Sequence, residues 1–293
     1  MVVEVACFHP ISAFQTTDGL VVFVERGRIA RELQLPCGRC IGCRLVRSRS
    51  WAIRCVHESQ CYDVNSFVTL TYDDGHYDVS LFYRDFQLFM KRLRKARSAP
   101  VRFFACGEYG DLNNRPHFHA LLFNCSFSDG IQIGERLFRS PELERLWPFG
   151  MSSYGDVTFQ SAGYVARYAV KKITGPMAED HYKRVNLSTG ELIDCVPEFG
   201  RMSLKPGIGY PWFVRFWSDV YSARDGVVMD GKTLPSPKYY DRLLADRQSL
   251  LSSDKEYDRY INSVEFQADC VPDRLRVREI VAKSRLSFLR RDL

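Results

Sequence analysis

The sequence predicts an α+β protein, and three stretches carry that prediction. Residues 67–72 are a β-branched and aromatic run that ends at the turn formers 73–75, as a strand does. Residues 80–98 repeat apolar side chains at helical spacing, which predicts an amphipathic helix. Residues 101–123 contain two apolar runs joined by the turn-rich segment 109–116, which predicts an antiparallel hairpin.

Length and composition narrow the class of protein. A chain of 293 residues can bury a full core and hold one large domain or two. The net charge of +6 is compatible with a nucleic-acid partner without requiring one. We expect no membrane span, because no apolar run is long enough, and no signal peptide, because the start lacks a basic segment and a cleavage pattern. The uneven spacing of the 10 cysteines favours metal binding in a reducing cytosol over a disulfide framework.

Residues 1–65 are predicted to form a Cys-rich N-terminal element of short strands, a cysteine loop and a basic helix at 44–57. The loop has the Cys-x2-Cys-x2-Cys spacing of a zinc knuckle, formed by Cys37, Cys40 and Cys43. Candidates for a fourth zinc ligand are Cys55, His57 and Cys61. The alternative is a tight loop of reduced thiols. The basic helix either contacts phosphates or presents a solvated face.

The second strand of the hairpin carries two histidines on one face. His117 and His119 point the same way because side chains alternate along a strand, and Glu108 ends the preceding strand. Two imidazoles and one carboxylate leave open positions on a metal ion, which suits a catalytic ion better than a structural one. The alternative is a strand with two surface histidines.

A helix predicted at 161–173, capped by Ser161, follows this hairpin. Tyr164 and Tyr168 lie one helical turn apart on the same face; Lys172 continues that row and Lys171 lies next to it. A tyrosine hydroxyl beside a metal ion can attack phosphorus and keep the cleaved end as an ester. The alternative is a pair of half-buried surface tyrosines.

Residues 176–293 are predicted to be an accessory, mostly helical extension. Within it, Gly226–Thr233 matches the pattern of a phosphate-binding loop. That loop needs a strand before it and a helix after it, whereas Pro235 and Pro237 block a helix here. The segment is therefore predicted to be a β-hairpin that turns at Asp230-Gly231, and ATP binding is not expected.

The order of these motifs resembles that of the HUH endonucleases, the rolling-circle replication initiators. The cysteine loop and the run Tyr-Val-Ala-Arg-Tyr-Ala-Val-Lys-Lys are similar to the replication initiation proteins of the Microviridae, especially the gokushovirus branch. The resemblance implies an antiparallel sheet flanked by helices, the HUH or ferredoxin-like palm, with a nuclease core at 66–175. It also implies Mg²⁺ or Mn²⁺ at the histidine pair and Glu108, and the tyrosine pair as nucleophiles. Single-tyrosine relatives place a lysine three residues after the nucleophile, a spacing that Tyr168 and Lys171 match, while Tyr164 has Arg167 there.

The function that this resemblance implies is the initiation of rolling-circle replication through a phosphotyrosine intermediate. The expected partners are single-stranded or supercoiled phage origin DNA, with a host helicase and polymerase, in the cytoplasm of the bacterial host. One alternative is a relaxase or transposase of the same fold. Another is a non-catalytic, zinc-containing module that binds single-stranded DNA.

Overall fold

The computed structural model describes residues 7–110, 113–166, 172, 177–186, 189–222, 225–265 and 267–288. The chain divides into two compact units, one formed by Met1–Arg47 with Leu244–Leu293 and the other by Ser48–Leu243. Among the described helices, none combines the length and the apolar character needed to cross a membrane.

The first unit begins with a small antiparallel sheet of three strands in the order β2-β1-β3. Its elements are β1 (Ile11–Thr16), β2 (Val21–Val22) and β3 (Ile29–Leu35), and helix α1 (Ile41–Ser59) follows. Only Ala13 is buried among the residues of these three strands. Apolar burial by the strands themselves therefore contributes little to the stability of this sheet.

The second unit is organised around an antiparallel sheet of seven strands, in the order β12-β5-β6-β4-β9-β8-β7. The elements up to the tyrosine-bearing helix are β4 (Asn65–Thr71), α2 (Tyr83–Lys95), β5 (Arg102–Tyr109), β6 (Pro116–Phe123), β7 (Ile131–Gln132), β8 (Phe138–Arg139), α3 (Pro141–Leu146), β9 (Ser152–Gly155) and α4 (Phe159–Ala166). The α+β class, the strand at 67–72, the helix after it and the antiparallel hairpin are confirmed. The strand predicted at 153–159 is shorter, because helix α4 already begins at Phe159.

The two faces of this sheet pack against different helices. One face buries Val68, Leu70 and Phe118 against the apolar side of α2, which includes Phe86 and Phe89. Each fully buried aromatic side chain of this kind contributes about 1.5–3 kcal/mol. The other face packs against α1 and α4 through a second buried apolar core, which is formed by Ala52, Cys55, Phe104, Cys106, Leu121, Phe123, Ala162, Val165, Ala166 and Ile208.

The N-terminus of α4 differs from the prediction. Thr158, not Ser161, precedes the helix, and its Oγ1 accepts a hydrogen bond from the Ser161 N–H at 3.0 Å. In return, the Ser161 hydroxyl oxygen accepts one from the Thr158 N–H at 2.8 Å. This reciprocal pair is the arrangement of a capping box with serine at its third position, and it fixes where the helix starts.

One arginine of the basic helix α1 is structural. The Arg54 guanidinium lies 4.0 Å from the ring centroids of both Trp51 and Tyr239. Its Nε donates a hydrogen bond to the Ile208 carbonyl oxygen at 2.9 Å. Arg54 is buried, so it is not one of the residues that contact phosphates or form a solvated face.

The region after residue 176 adds both strands and helices. Its elements are α5 (Met177–His181), β10 (Lys183–Val185), β11 (Leu192–Asp194), β12 (Phe199–Met202), α6 (Tyr210–Tyr221), β13 (Val227–Met229), β14 (Lys232–Leu234), α7 (Lys238–Arg247), α8 (Ser249–Val264), a 3-10 turn (Gln267–Cys270) and α9 (Pro272–Phe288). Strand β12 joins the main sheet beside β5, where Phe199 lies opposite Gly107. A Cβ atom at Gly107 would come within 2.9 Å of the Phe199 ring, so this crossing requires glycine.

The segment that matches a phosphate-binding loop is a hairpin, as predicted. Strands β13 and β14 pair antiparallel, with Met229 opposite Lys232. The two turn residues have positive φ angles, 48° at Asp230 and 73° at Gly231, as a two-residue type I′ turn requires. No helix begins at Lys232, so the geometry needed to hold a nucleotide phosphate is missing from this described segment.

Candidate metal and nucleophile site

Strand register brings the predicted acidic and histidine residues together at one end of the main sheet. Glu108 lies directly opposite His117 in the pairing of β5 with β6, and Cys106 lies opposite His119. All these side chains are on the face that packs against α1 and α4, because alternate residues of a strand share a face. Two adjacent strands therefore place the carboxylate and both imidazoles on one face.

The two imidazoles converge on one carboxylate oxygen. The Nε2 atom of His119 lies 3.1 Å from Glu108 Oε1, and that of His117 lies 3.5 Å from the same oxygen. One ligand atom from each residue falls within 4.8 Å of the others. The Glu108 side chain is only 2% exposed, and a carboxylate is costly to bury unless positive charge offsets it. The donor set of two nitrogens and one oxygen fits a divalent ion that keeps positions for water or substrate oxygen.

The other ring nitrogen of each histidine is held by a second group. His117 Nδ1 lies 3.0 Å from the Arg115 carbonyl oxygen, which can only accept a hydrogen bond, so this contact leaves Nε2 as the nitrogen that faces Glu108. His119 Nδ1 lies 3.0 Å from the Thr69 hydroxyl. Such outer partners orient metal-binding imidazoles. Sequence reasoning did not identify Thr69, although it lies opposite His119 in the pairing of β4 with β6.

Helix α4 places Tyr164 against this site. The ring centroids of Tyr164 and His119 are 4.8 Å apart, and their planes are nearly perpendicular at 89°. Phe67 stacks on the same imidazole, with its ring centroid 5.6 Å from that of His119, and its ring also meets that of Tyr164 edge-on at 6.2 Å. Tyr164 is half-buried, so its ring is held by packing while the residue retains access to solvent. Tyr168 and Lys171 lie outside the described residues, and Lys172 is half-buried.

The cysteine loop forms a separate group, in the first unit, with a member that sequence reasoning missed. The Sγ atoms of Cys7, Cys37, Cys40 and Cys43 lie within 4.8 Å of one another. Burial opposes ionisation of Cys37, but hydrogen bonds from the N–H groups of Cys40 and Arg39 outweigh it and lower the pKa of the Cys37 thiol to about 7. Burial raises the pKa of Cys43. These four cysteines are free thiols.

The three residues predicted as candidates for a fourth ligand are placed elsewhere. Cys55 is fully buried in the apolar core that packs against the main sheet, so Cys7 replaces it in the group of four thiols. His57 stacks on Trp212 with ring centroids 3.5 Å apart, and its Nδ1 lies 3.0 Å from the Tyr240 hydroxyl. The Cys61 thiol donates to the His57 carbonyl oxygen at 3.4 Å.

The register of the small sheet, which the sequence does not reveal, accounts for the position of Cys7. Ile11 pairs with Leu35, and each step back along β1 matches a step forward along β3. Continued beyond the strands, this register places Cys7 opposite residue 39, inside the cysteine loop. The pairing of strands separated by a loop cannot be read from the spacing of cysteines alone.

Comparison with known proteins gives consistent matches. The model of a family of replication-associated proteins, described by the name ORF2, matches residues 65–173. Replication-associated protein VP4 of Bdellovibrio phage phiMH2K is 37% identical over 251 residues, which cover 80% of this chain and 75% of that protein. Replication-associated protein ORF2 of Spiroplasma virus 4 is 32% identical over 268 residues, which cover 81% of this chain and 79% of that protein. Replication-associated protein ORF4 of Chlamydia phage 1 is 29% identical over 245 residues, which cover 78% of this chain and 58% of that protein. No solved structure matches the chain.

Proposed function

We propose that this chain, which belongs to the replication-associated protein family of single-stranded DNA phages, initiates rolling-circle replication. In this proposal it cuts and rejoins origin DNA. The observation that carries the proposal is the convergence of both His Nε2 atoms on Glu108, with the Tyr164 ring packed against His119. A nucleophile beside a site for a divalent ion is the arrangement that transfer of a phosphate ester requires.

Glu108, His117 and His119 are the residues that would hold the ion. The chemistry that Mg²⁺ or Mn²⁺ would supply when held there is the polarisation of a phosphate oxygen and the offset of negative charge that builds up during the reaction. Thr69 and the Arg115 carbonyl oxygen hold the imidazoles in position before substrate arrives. Preorganised ligands of this kind need no rearrangement when the phosphate binds.

Of the two predicted tyrosine nucleophiles, Tyr164 is the one within the described residues, and its ring contacts His119. Its hydroxyl oxygen attacks the phosphorus of the scissile phosphodiester, forming a P–O bond to tyrosine while the bond to the 3′ oxygen breaks. The phenol loses one proton and the departing 3′ oxygen gains one, so the step is an ester exchange that consumes no nucleotide. Reversal by a 3′ hydroxyl rejoins the strand. This agrees with the hairpin found where a nucleotide-binding loop was rejected.

A second tyrosine four residues further along the sequence would explain how the cycle continues. While one tyrosine holds the 5′ phosphate of the displaced strand, the regenerated origin has to be cut again. Tyr168 would make that second cut, and the newly released 3′ hydroxyl would attack the first ester to close a unit circle. Lys171 or Lys172 would stabilise the phenolate or the phosphate with its positive charge.

The same proposal extends to partners and location. The substrate is single-stranded or supercoiled phage origin DNA in the bacterial cytoplasm, and a host helicase and polymerase complete the replication machinery. Relaxases and transposases would use the same chemistry, but the similarity to replication-associated proteins supports replication. A non-catalytic module that binds single-stranded DNA would contain no functional nucleophile.

The test uses the full chain, Mn²⁺ and single-stranded fragments that tile the phage genome. The wild-type protein should form an adduct with one fragment that survives SDS. Tyr164→Phe and Tyr168→Phe should each retain first-round cleavage but release no closed circles over repeated rounds, and the double variant should form no adduct. Tyr257→Phe, at an exposed tyrosine, is the matched control and should behave as wild type. A double variant that still becomes linked to DNA would show that the nucleophile is elsewhere, and a wild type without adduct would support the binding module.

A further inference from the structure

The four thiols of the first unit have the spacing of a closed metal site. The Sγ atoms of Cys7 and Cys40 are 3.8 Å apart, and all four Sγ atoms fall within 4.8 Å of one another. A tetrahedral zinc ion with bonds of about 2.3 Å separates its sulfur ligands by about 3.8 Å. A disulfide requires sulfurs about 2.05 Å apart, so the group is not arranged as a pair of disulfides.

Backbone N–H groups point at the sulfurs as they do around bound thiolates. The Cys37 N–H donates to Cys7 Sγ at 3.2 Å, and the Cys40 N–H donates to Cys37 Sγ at 3.3 Å. The Phe8 N–H donates to Cys40 Sγ at 3.4 Å. Gly38, with a φ of 73°, allows the loop to turn between the first two cysteines of the knuckle. Hydrogen bonds to sulfur favour the thiolate, which is the form that binds metal.

The unit that contains this group has little apolar core of its own. Within its described residues, 7–47 and 244–265 with 267–288, the buried apolar side chains are Phe8, Ala13, Cys40, Leu244 and Leu275. Small units with so few buried side chains commonly depend on a disulfide or a structural metal. The described cysteines of this unit, which are Cys7, Cys37, Cys40, Cys43 and Cys270, form no disulfide, so a metal is the cross-link that they can provide.

We propose that Cys7, Cys37, Cys40 and Cys43 bind one Zn²⁺ ion as a closed structural site. The ion joins the segment before β1 to the loop after β3 and to the first turn of α1, where Cys43 lies. Four protein ligands leave no open position, so the ion takes no part in strand cleavage. Binding releases the thiol protons, and its free energy adds to the stability of the unit. The inference does not depend on the proposed function.

Metal analysis of the full chain, purified without added zinc, tests the stoichiometry and the identity of the ligands. Wild type should contain about one zinc ion per chain. Cys7→Ser should lose it, whereas Cys270→Ser, at an exposed cysteine of the same unit, should keep it. Cys55→Ala should also keep it. Iron in place of zinc, absence of metal in wild type, or full zinc content in Cys7→Ser would each overturn the proposal.

Thiol labelling of wild type gives a second readout that does not depend on a variant folding. In the native protein, an alkylating reagent should label Cys270 but not the four cysteines of the group. A thiol-competitive zinc chelator should then expose Cys7, Cys37, Cys40 and Cys43 together. Labelling of Cys7 as fast as Cys270 before chelation would contradict a shared ion.

Discussion

The two groups of metal-ligand side chains in this protein are built in opposite ways. Glu108, His117 and His119 lie on two adjacent strands in the middle of a seven-stranded sheet, where register alone positions them. Three of the four thiols come from a loop and the helix start that follows it, while Cys7 lies before the first strand. The first group takes its geometry from an existing sheet, whereas the second joins segments that bury little apolar surface. A site that the sheet already positions can leave coordination positions of the ion open for substrate. A site that cross-links separate segments has to supply all the ligands of its ion.

Chelation should have the largest effect, and it should remove the ion of the first group while leaving the ion of the second group bound. Two nitrogens and one oxygen with open positions hold Mg²⁺ or Mn²⁺ weakly, whereas four thiolates hold Zn²⁺ tightly. Brief EDTA treatment should abolish strand cleavage, and Mn²⁺ alone should restore it, while zinc content stays at about one ion per chain. Cleavage that persists in EDTA, or that needs added zinc to return, would remove the distinction between an open and a closed site.

Loss of one histidine of the first group should be as severe. His119→Ala removes a nitrogen that lies 3.1 Å from Glu108 Oε1 and the ring against which Tyr164 packs. Adduct formation should be lost, while circular dichroism and zinc content stay at wild-type values. His76→Ala is the matched control, because His76 is exposed and its Nδ1 contacts Asp73 on the surface. Full adduct formation by His119→Ala would contradict a role in binding the ion.

The hydrogen bond from Thr69 should have a smaller effect on the same group. Thr69→Val keeps the shape of the side chain but removes the hydroxyl 3.0 Å from His119 Nδ1. The Mn²⁺ concentration for half-maximal cleavage should rise about 10- to 100-fold, with the maximal rate recovered at saturating Mn²⁺. Thr233→Val, at an exposed position in the β13–β14 hairpin, should leave it unchanged. A lower maximal rate without a shift in Mn²⁺ dependence would mean that Thr69 does not act through the ion.

The smallest effect is expected at His57, where the pH dependence of stability distinguishes a buried core histidine from a metal ligand. Burial lowers its pKa from 6.5 to about 3. The unfolded chain therefore binds the proton more readily between these values, so the free energy of unfolding should fall as pH drops through this window. The slope should approach roughly 1.4 kcal/mol per pH unit from this one group. His57→Gln should unfold with a shallower pH dependence and unchanged zinc content; a zinc loss would instead identify His57 as a ligand.

The sequence predicted the parts of both groups that depend on local spacing. His117 and His119 are separated by one residue in a strand, and the turn-rich segment 109–116 returns that strand to Glu108. Tyr164 was singled out because it lies in the predicted helix after this hairpin, four residues before Tyr168. The structure brings Glu108, His117 and His119 together, and the chemical roles of these side chains and of Tyr164 stay predictions.

Contacts between segments distant in the chain could not be predicted. Thr69 meets His119 through the register of β4 with β6, and Cys7 reaches the cysteine loop through the register of β1 with β3. Cys55 was a candidate ligand because it lies close to the cysteine loop in the sequence. In the structure it is on the buried face of α1 and packs in the core. Thr158 replaced Ser161 as the helix cap because both residues can cap, and the preceding backbone decides between them.

Identifying the covalently modified residue tests the central claim most directly. The wild-type adduct formed with Mn²⁺ and origin DNA should be digested with protease and nuclease, and the remaining nucleotide located by mass spectrometry. We predict a phosphate ester on Tyr164 or Tyr168, absent when His119→Ala or EDTA is used. An ester on any other residue, or one that forms without the ion, would contradict the assignment of strands β5 and β6 and helix α4 as the strand-cleaving site.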